Sequence, residues 1–199
     1  MTKSPMFTQM NQAALARLNG RDPREIAQNA GIRYDEDTQV FHVPTMGMNV
    51  LVHYTDYHFT PALPHWHRLV ILHYLDLADG FLPTGKHIPF TNMRSGMILG
   101  GGIDRKCECV IQHMKNLSKD TLAKVCMGIG GEAVDSNSDM AYRIPFLPRF
   151  PVYLKIWFPD EGLCASGRLL LDESADHYLT IEDAVTVAEI ILEQLITME

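Results

Sequence analysis

Apolar and polar positions along the chain change period several times, and each change marks an element. Phe7, Met10, Ala14, Leu15 and Leu18 recur at helical spacing, with Thr8 placed to cap this helix and Asn19-Gly20 to end it. A second helix follows at once: Asp22 caps it, Pro23 suits the first helical position, Glu25 completes a capping box, and Gly31 takes the left-handed conformation beyond the last turn. From Ile32 to Phe59 the period falls to two. Val40 and His42 alternate with Phe41 and Val43, then Val50, Val52 and Tyr54 with Leu51 and His53. With turn residues at Asp35-Glu36-Asp37 and Met46-Gly47, this predicts an antiparallel meander. Helical spacing returns from Pro64 to Asp79, with Trp66, Leu69, Val70 and His73 on one arc and Ile71, Leu72 and Leu75 beside it. A helix apolar around most of its circumference belongs in the middle of a fold.

Further on, Pro83 to Phe90 reads as a turn and a short edge strand, since Pro89 cannot donate to a ladder. Gly96 and Gly100-Gly101-Gly102 predict a flexible loop before two helices, Asp104 to Lys115 and Ser118 to Gly128. Ala141 to Pro145, Val152 to Phe158 and Arg168 to Leu171 read as strands. A long helix runs from Ile181 to about Thr197, capped by Thr180 with Asp183 three residues on, and turns Ala184, Val187, Ala188, Ile191, Leu192 and Leu195 inward. No repeat or linker divides the chain. The expected fold is one α+β domain over residues 1–199, an antiparallel sheet packed with about six helices.

Composition agrees with one domain. The 199 residues, 46% of them hydrophobic, can bury roughly 70% of the unfolded chain's surface, enough for a core without covalent staples. The 17 Lys and Arg against 24 Asp and Glu leave a formal charge of −7, which repels a phosphate backbone unless the basic residues are strongly segregated, so nucleic acid is not an expected partner. The longest apolar stretches, Leu69 to Leu77 and Val152 to Phe158, are broken by His73, Asp76 and Lys155 and fall short of the ~20 residues that span a bilayer. The first seven residues lack an apolar signal core, so the expected setting is the cytoplasm, with no membrane association. Cys107, Cys109, Cys126 and Cys164 are too few for a disulfide scaffold and are expected as thiols. The 11 methionines give the core adaptable, oxidisable sulfur, compatible with a low-oxygen cell.

Several stretches together carry a resemblance. His73-Tyr74-Leu75 followed by Pro83-Thr84-Gly85-Lys86, then Gly130-Gly131, Phe150-Pro151 leading to Trp157 and Asp160-Glu161, and finally Leu171-Asp172 through Glu182-Asp183, resemble the domain of unknown function 3786 family. The likeness runs from about Ala27 to Leu195. It implies kinship with uncharacterised proteins spread through anaerobic bacteria and archaea. Some longer members append a cysteine-rich iron–sulfur segment of the kind seen in corrinoid iron–sulfur proteins. This chain has no four-cysteine run, so the cluster does not carry over, and the resemblance implies a role beside corrinoid or one-carbon chemistry by analogy alone.

Candidate chemistry starts from histidine. His42, His53, His58, His65, His67 and His73 are six of nine histidines, within about a sixth of the chain, and imidazole is the commonest transition-metal ligand near neutral pH. His65 and His67 stand about 200° apart on a helix and cannot chelate from one helical face, whereas in an extended segment they would share one. Cys109 and His113, four apart, share a helical face as a zinc or iron site needs, whereas Cys107 is displaced. His65, His67, Cys109 and His113 are therefore the candidate metal ligands, each weighed against an ordinary buried or surface role.

The triple glycine before Asp104-Arg105-Lys106 suits an anionic substituent but is neither a Walker loop nor a dinucleotide fingerprint. Asp160 and Asp172 end successive strands, and hairpin pairing places them at opposite ends of the ladder, against a paired-carboxylate site; turns at Asp160-Glu161-Gly162 and Asp172 to Ser174 account for both. No Gly-x-Ser-x-Gly elbow occurs, and Cys164 has no local partner.

The leading expectation is a domain that binds a cofactor-like or metal-containing ligand, either a transition metal or a corrinoid or other tetrapyrrole, or that docks on a redox-protein partner. Its pocket is expected to be lined by His67, His73, Arg105, His177 and Tyr178. One rival is a small enzyme using an acid–base pair from His73, His177, Asp160 and Asp172 on an anionic small molecule. Another is a structural interaction protein, with Glu182, Glu189 and Glu193 as a solvated face of the last helix.

Overall fold

The computed structural model describes residues 5–160 and 162–197. Its strands form two antiparallel sheets. The predicted meander is the first: β1 (Arg33–Asp35), β2 (Val40–Thr45), β3 (Met48–His53) and β4 (Phe59–Thr60), in that order. Thr45 pairs with Met48 across the two-residue turn Met46-Gly47, both with positive φ (45° and 75°), as tight hairpins require.

The second sheet contains β5 (His87–Ile88), β6 (Glu132–Ala133), β7 (Met140–Leu147), β8 (Phe150–Trp157) and β9 (Ser166–Asp172), in the order β5-β9-β8-β7-β6. The β8–β9 register runs from Val152 opposite Leu171 to Trp157 opposite Ser166. Asp172 therefore lies at one end of that hairpin and Asp160, bridged to Leu163, at the other. Glu161 lies outside the described residues.

Helix α1 (Pro5–Leu18) contains Thr8 in its interior, so Thr8 is not its cap. Helix α2 (Pro23–Ala30) has the expected cap residues, with Asp22 accepting from the Arg24 N–H and Gly31 left-handed, but among the described residues Glu25 returns no bond to Asp22, so the capping box is not formed. Helix α3 (His65–Leu77) lies between α1, α2 and the final helix, and Leu69 to Leu75 are all buried.

The glycine-rich segment is not a flexible loop. Helix α4 (Gly96–Leu99) and a 3₁₀ turn at Gly100–Gly102 run directly into α5 (Ile103–His113). Gly96 and Gly100 press on the backbone of Phe90 and Thr91, where any Cβ would overlap it. These two glycines serve close packing. The same logic joins α5 to β9: Gly167 lies beneath Ile111 and the buried Cys107, leaving no room for a side chain.

Helix α6 (Lys119–Gly128) is capped by Ser118 and ends at Gly130, whose Cα side is filled by the backbone of Gly47. Met46 N–H also donates to Pro145 C=O, tying the β2–β3 turn to the second sheet. Helix α7 (Ile181–Thr197) opens with a reciprocal box in which Thr180 and Asp183 bond each other's side chain and backbone. Among the described residues, no helix is long and apolar enough to cross a membrane.

Candidate functional site: a histidine-walled cleft

The close approach of Gly47 to Gly130 brings the β2–β3 turn, the start of α3, the end of α6 and one flank of α7 around a cleft of about 640 Å³. Its walls are mostly apolar: Met46, Met48, Leu63, Pro64, Trp66, Ile129 and Ile190, with Thr186, Glu189, Glu193 and Gln194 from α7. That size and lining fall within the range of small-molecule pockets, about 300–1,000 Å³.

His67 is the buried polar residue of this wall, 4% exposed. Its Nε2 lies 2.8 Å from the buried Thr45 Oγ1, and its ring packs 5.0 Å from that of Phe146. Nδ1 has no hydrogen-bond partner among the described residues, and His67 lines the cleft. Burial pushes the His67 pKa down to about 4, so the ring is neutral at pH 7. Thr45 occupies the inward position after Val43 on β2, where alternation calls for an apolar residue. A polar residue at such a position is the one sign of this pair in the sequence.

A shallower trough of about 590 Å³ lies across α7, between Gly102, Arg105, Lys106, Cys109 and Val110 on the α5 side and Leu192 and Ile196. Glu189 and Glu193 border both hollows, and Lys106 pairs with Glu189.

The other predicted site residues are distributed around the fold. Arg105 and Cys109 line the trough, and His67 lines the cleft; neither hollow is lined by His73, His177 or Tyr178. His73 is buried, with Nδ1 2.6 Å from Asp183 Oδ1, joining α3 to α7. His177 lies on the surface, with Nδ1 2.6 Å from Asp79 Oδ2 and its ring stacked on Phe81 at 4.1 Å. Tyr178 is fully buried against Tyr74, its hydroxyl without a hydrogen-bond partner among the described residues. His65 packs at the helix start against Phe7 and Trp66, while His113 lies on the exposed side of α5. His65, His67, Cys109 and His113 are not brought together. Among the described residues, no group of three or more His, Cys, Asp or Glu is arranged to hold a metal ion.

The proposed acid–base set is likewise dispersed. Each of its histidines bonds a carboxylate outside the set, Asp183 or Asp79. The buried Asp172 carboxylate accepts from the N–H groups of Thr84 (2.9 Å), Gly85 (2.7 Å) and Ser174 (3.0 Å), and from the Ser174 hydroxyl (2.7 Å). Burial works to raise its pKa, but the bonds from Ser174, Thr84 and Gly85 together hold it below the ordinary carboxylate value. Asp172 thus pins the Pro83–Lys86 turn to the end of β9.

Fold and site together define an α+β domain with two sheets and a partly enclosed apolar cleft walled by one neutral histidine. The chain belongs to the DUF3786 family, described as a domain of unknown function, whose model matches residues 22–194. No curated protein and no solved structure matches it.

Proposed function

We propose that this domain binds a small, largely apolar molecule in the cleft and gives it one bond from His67. The supporting observation is the unpartnered Nδ1 of a buried, neutral imidazole on an apolar wall. In the tautomer that suits this role, Nε2–H donates to Thr45 and Nδ1 presents a lone pair. A second partner of this kind is what orients imidazole ligands generally.

One such lone pair is too little for a bare metal ion. It is enough for a metal already held by its own macrocycle, which needs only an axial ligand, or for a ligand N–H or O–H group. A compact tetrapyrrole carrying its own metal therefore fits the donor set better than free zinc or iron does, while a complete corrinoid is larger than a cleft of about 640 Å³.

The test is a melting-temperature series on anaerobically purified protein with haemin, aquocobalamin and cyclohexylmethanol as probes. Saturation at about 100 times Kd stabilises by about 2.7 kcal/mol, a shift of several degrees. At least one probe is expected to give that shift in the native chain and to lose it in Ile190→Trp, which fills the cleft, and in His67→Gln. Equal shifts in all three proteins, or none in any, would overturn the proposal.

A further inference from the structure

The polar lining of the cleft has one sign. Glu189 and Glu193, one turn apart on α7, reach it together with the Gln194 amide, and no lysine or arginine does. Lys106, which pairs with Glu189, stands on α5 and lines only the neighbouring trough. Glu193 has no ion-pair partner among the described residues. The Thr186 hydroxyl is spent within α7, donating to the Glu182 carbonyl at 2.9 Å.

The remaining polar groups are therefore two carboxylates and the Gln194 amide, with His67 Nδ1 in the wall, an acceptor in the tautomer given above. His67 is more than nine-tenths buried and lines the cleft with that nitrogen unpartnered, so it points to a ligand independently of the two glutamates. Trp66, 37% exposed on the same wall, adds an aromatic surface of the kind that attracts cations.

We propose that the ligand of this cleft is an organic cation, a protonated amine on an apolar body, with its charge between Glu189 and Glu193 and its body against Met46, Met48 and Ile190. This rests on the small-molecule reading above and gives it a charge, opposite to the anionic substrate that the enzyme alternative invoked. An anionic group would enter beside two carboxylates with no cation on the lining to receive it.

Three probes of one shape separate charge from fit: cyclohexylmethylamine, cyclohexylmethanol and cyclohexanecarboxylate, followed through the methyl signals of ¹³C-methyl methionine at Met46 and Met48. The amine is expected to bind about tenfold more tightly than the alcohol at low salt, and the carboxylate more weakly than either. In Glu189→Gln/Glu193→Gln, the amine is expected to fall to the affinity of the alcohol, with the alcohol itself unchanged. Binding at Met46 and Met48 with no preference for the amine would overturn the cation assignment and leave the cleft as a small-molecule site. Methyl signals that respond to none of the three probes would remove both.

Discussion

Burial that leaves His67 only 4% exposed makes its imidazole a poor base, and this has a consequence for stability. Its pKa falls from 6.5 to about 4 on folding. Between those values the unfolded chain takes up a proton that the folded ring refuses, so stability falls as pH drops through that window and is retained in full above it. The loss is on the order of 3 kcal/mol by pH 4. Urea denaturation at pH 7 and pH 4.5 is expected to show a smaller acid loss in His67→Gln than in the native chain; an equal loss would contradict a neutral buried ring. Asp172 behaves in the opposite sense. Its depressed pKa contributes stability that is present above the ordinary carboxylate range and is lost as pH falls below it. Asp172→Asn keeps the shape but turns an acceptor oxygen into a donor facing the N–H groups of Thr84, Gly85 and Ser174. It is expected to cost about 2–3 kcal/mol at pH 7 by thermal denaturation, and a cost near zero would mean the turn is held by other contacts.

At the scale of elements, glycine separates what the sequence displays from what only packing decides. Gly31 closes α2 where a local signal predicts it, because a left-handed cap is set by residues within one turn. Gly96, Gly100 and Gly167 give no local signal of that kind, since the backbones and side chains they touch are distant in sequence or turned toward them only in the fold, whereas Gly130 is both a left-handed cap of α6 and a contact for Gly47. Hence a glycine triplet that reads as a mobile loop is a 3₁₀ turn inside a continuous helical run. Two substitutions test this. Gly130→Ala combines a φ of 79° with overlap onto Gly47 and is expected to cost more than about 2 kcal/mol. Gly101→Ala, with open space at Cβ and no positive φ, is expected to be neutral or to gain up to about 1 kcal/mol. Denaturation midpoints that moved equally in both variants would contradict these packing assignments. The strand periods, the caps of α2, α6 and α7, and the buried character of α3 were legible because each is written in residues a few positions apart. The cleft was not, because its walls come from four separated segments that the Gly47–Gly130 contact draws together.

The whole molecule is closed by side chains that join elements far apart in the chain. Arg149, in the turn between β7 and β8, donates from Nη1 to the carbonyls of Asn29 (3.1 Å) and Gly80 (2.8 Å), at the end of α2 and just past α3. Its own N–H donates to the Tyr74 hydroxyl, which in turn donates to Ala30 C=O. A cation at two helix C-termini satisfies carbonyls that have no intrahelical partner. Arg149→Ala is expected to cost about 2 kcal/mol or more, with Arg149→Lys recovering only part of it, because the shorter lysine side chain stops one bond short of the Nη1 position that serves both carbonyls. The candidate histidines follow the same division. His73 fastens α3 to α7 through the Asp183 carboxylate and His177 pairs with Asp79 at the surface, whereas His67, among the described residues, bonds only the Thr45 hydroxyl and lines the cleft. Sequence clustering could not separate these roles, because partners 110 and 98 positions away in the chain decide them. The central claim, a neutral His67 whose Nδ1 meets a ligand in the cleft, is tested most directly by ¹⁵N NMR of the histidine side chains during titration with cyclohexylmethylamine at pH 6. The proposed tautomer predicts a neutral His67 ring with its proton on Nε2 and an Nδ1 resonance that moves as the amine saturates; a ring already half-protonated at that pH, or an Nδ1 signal that ignores the amine while the ligand binds, would contradict it.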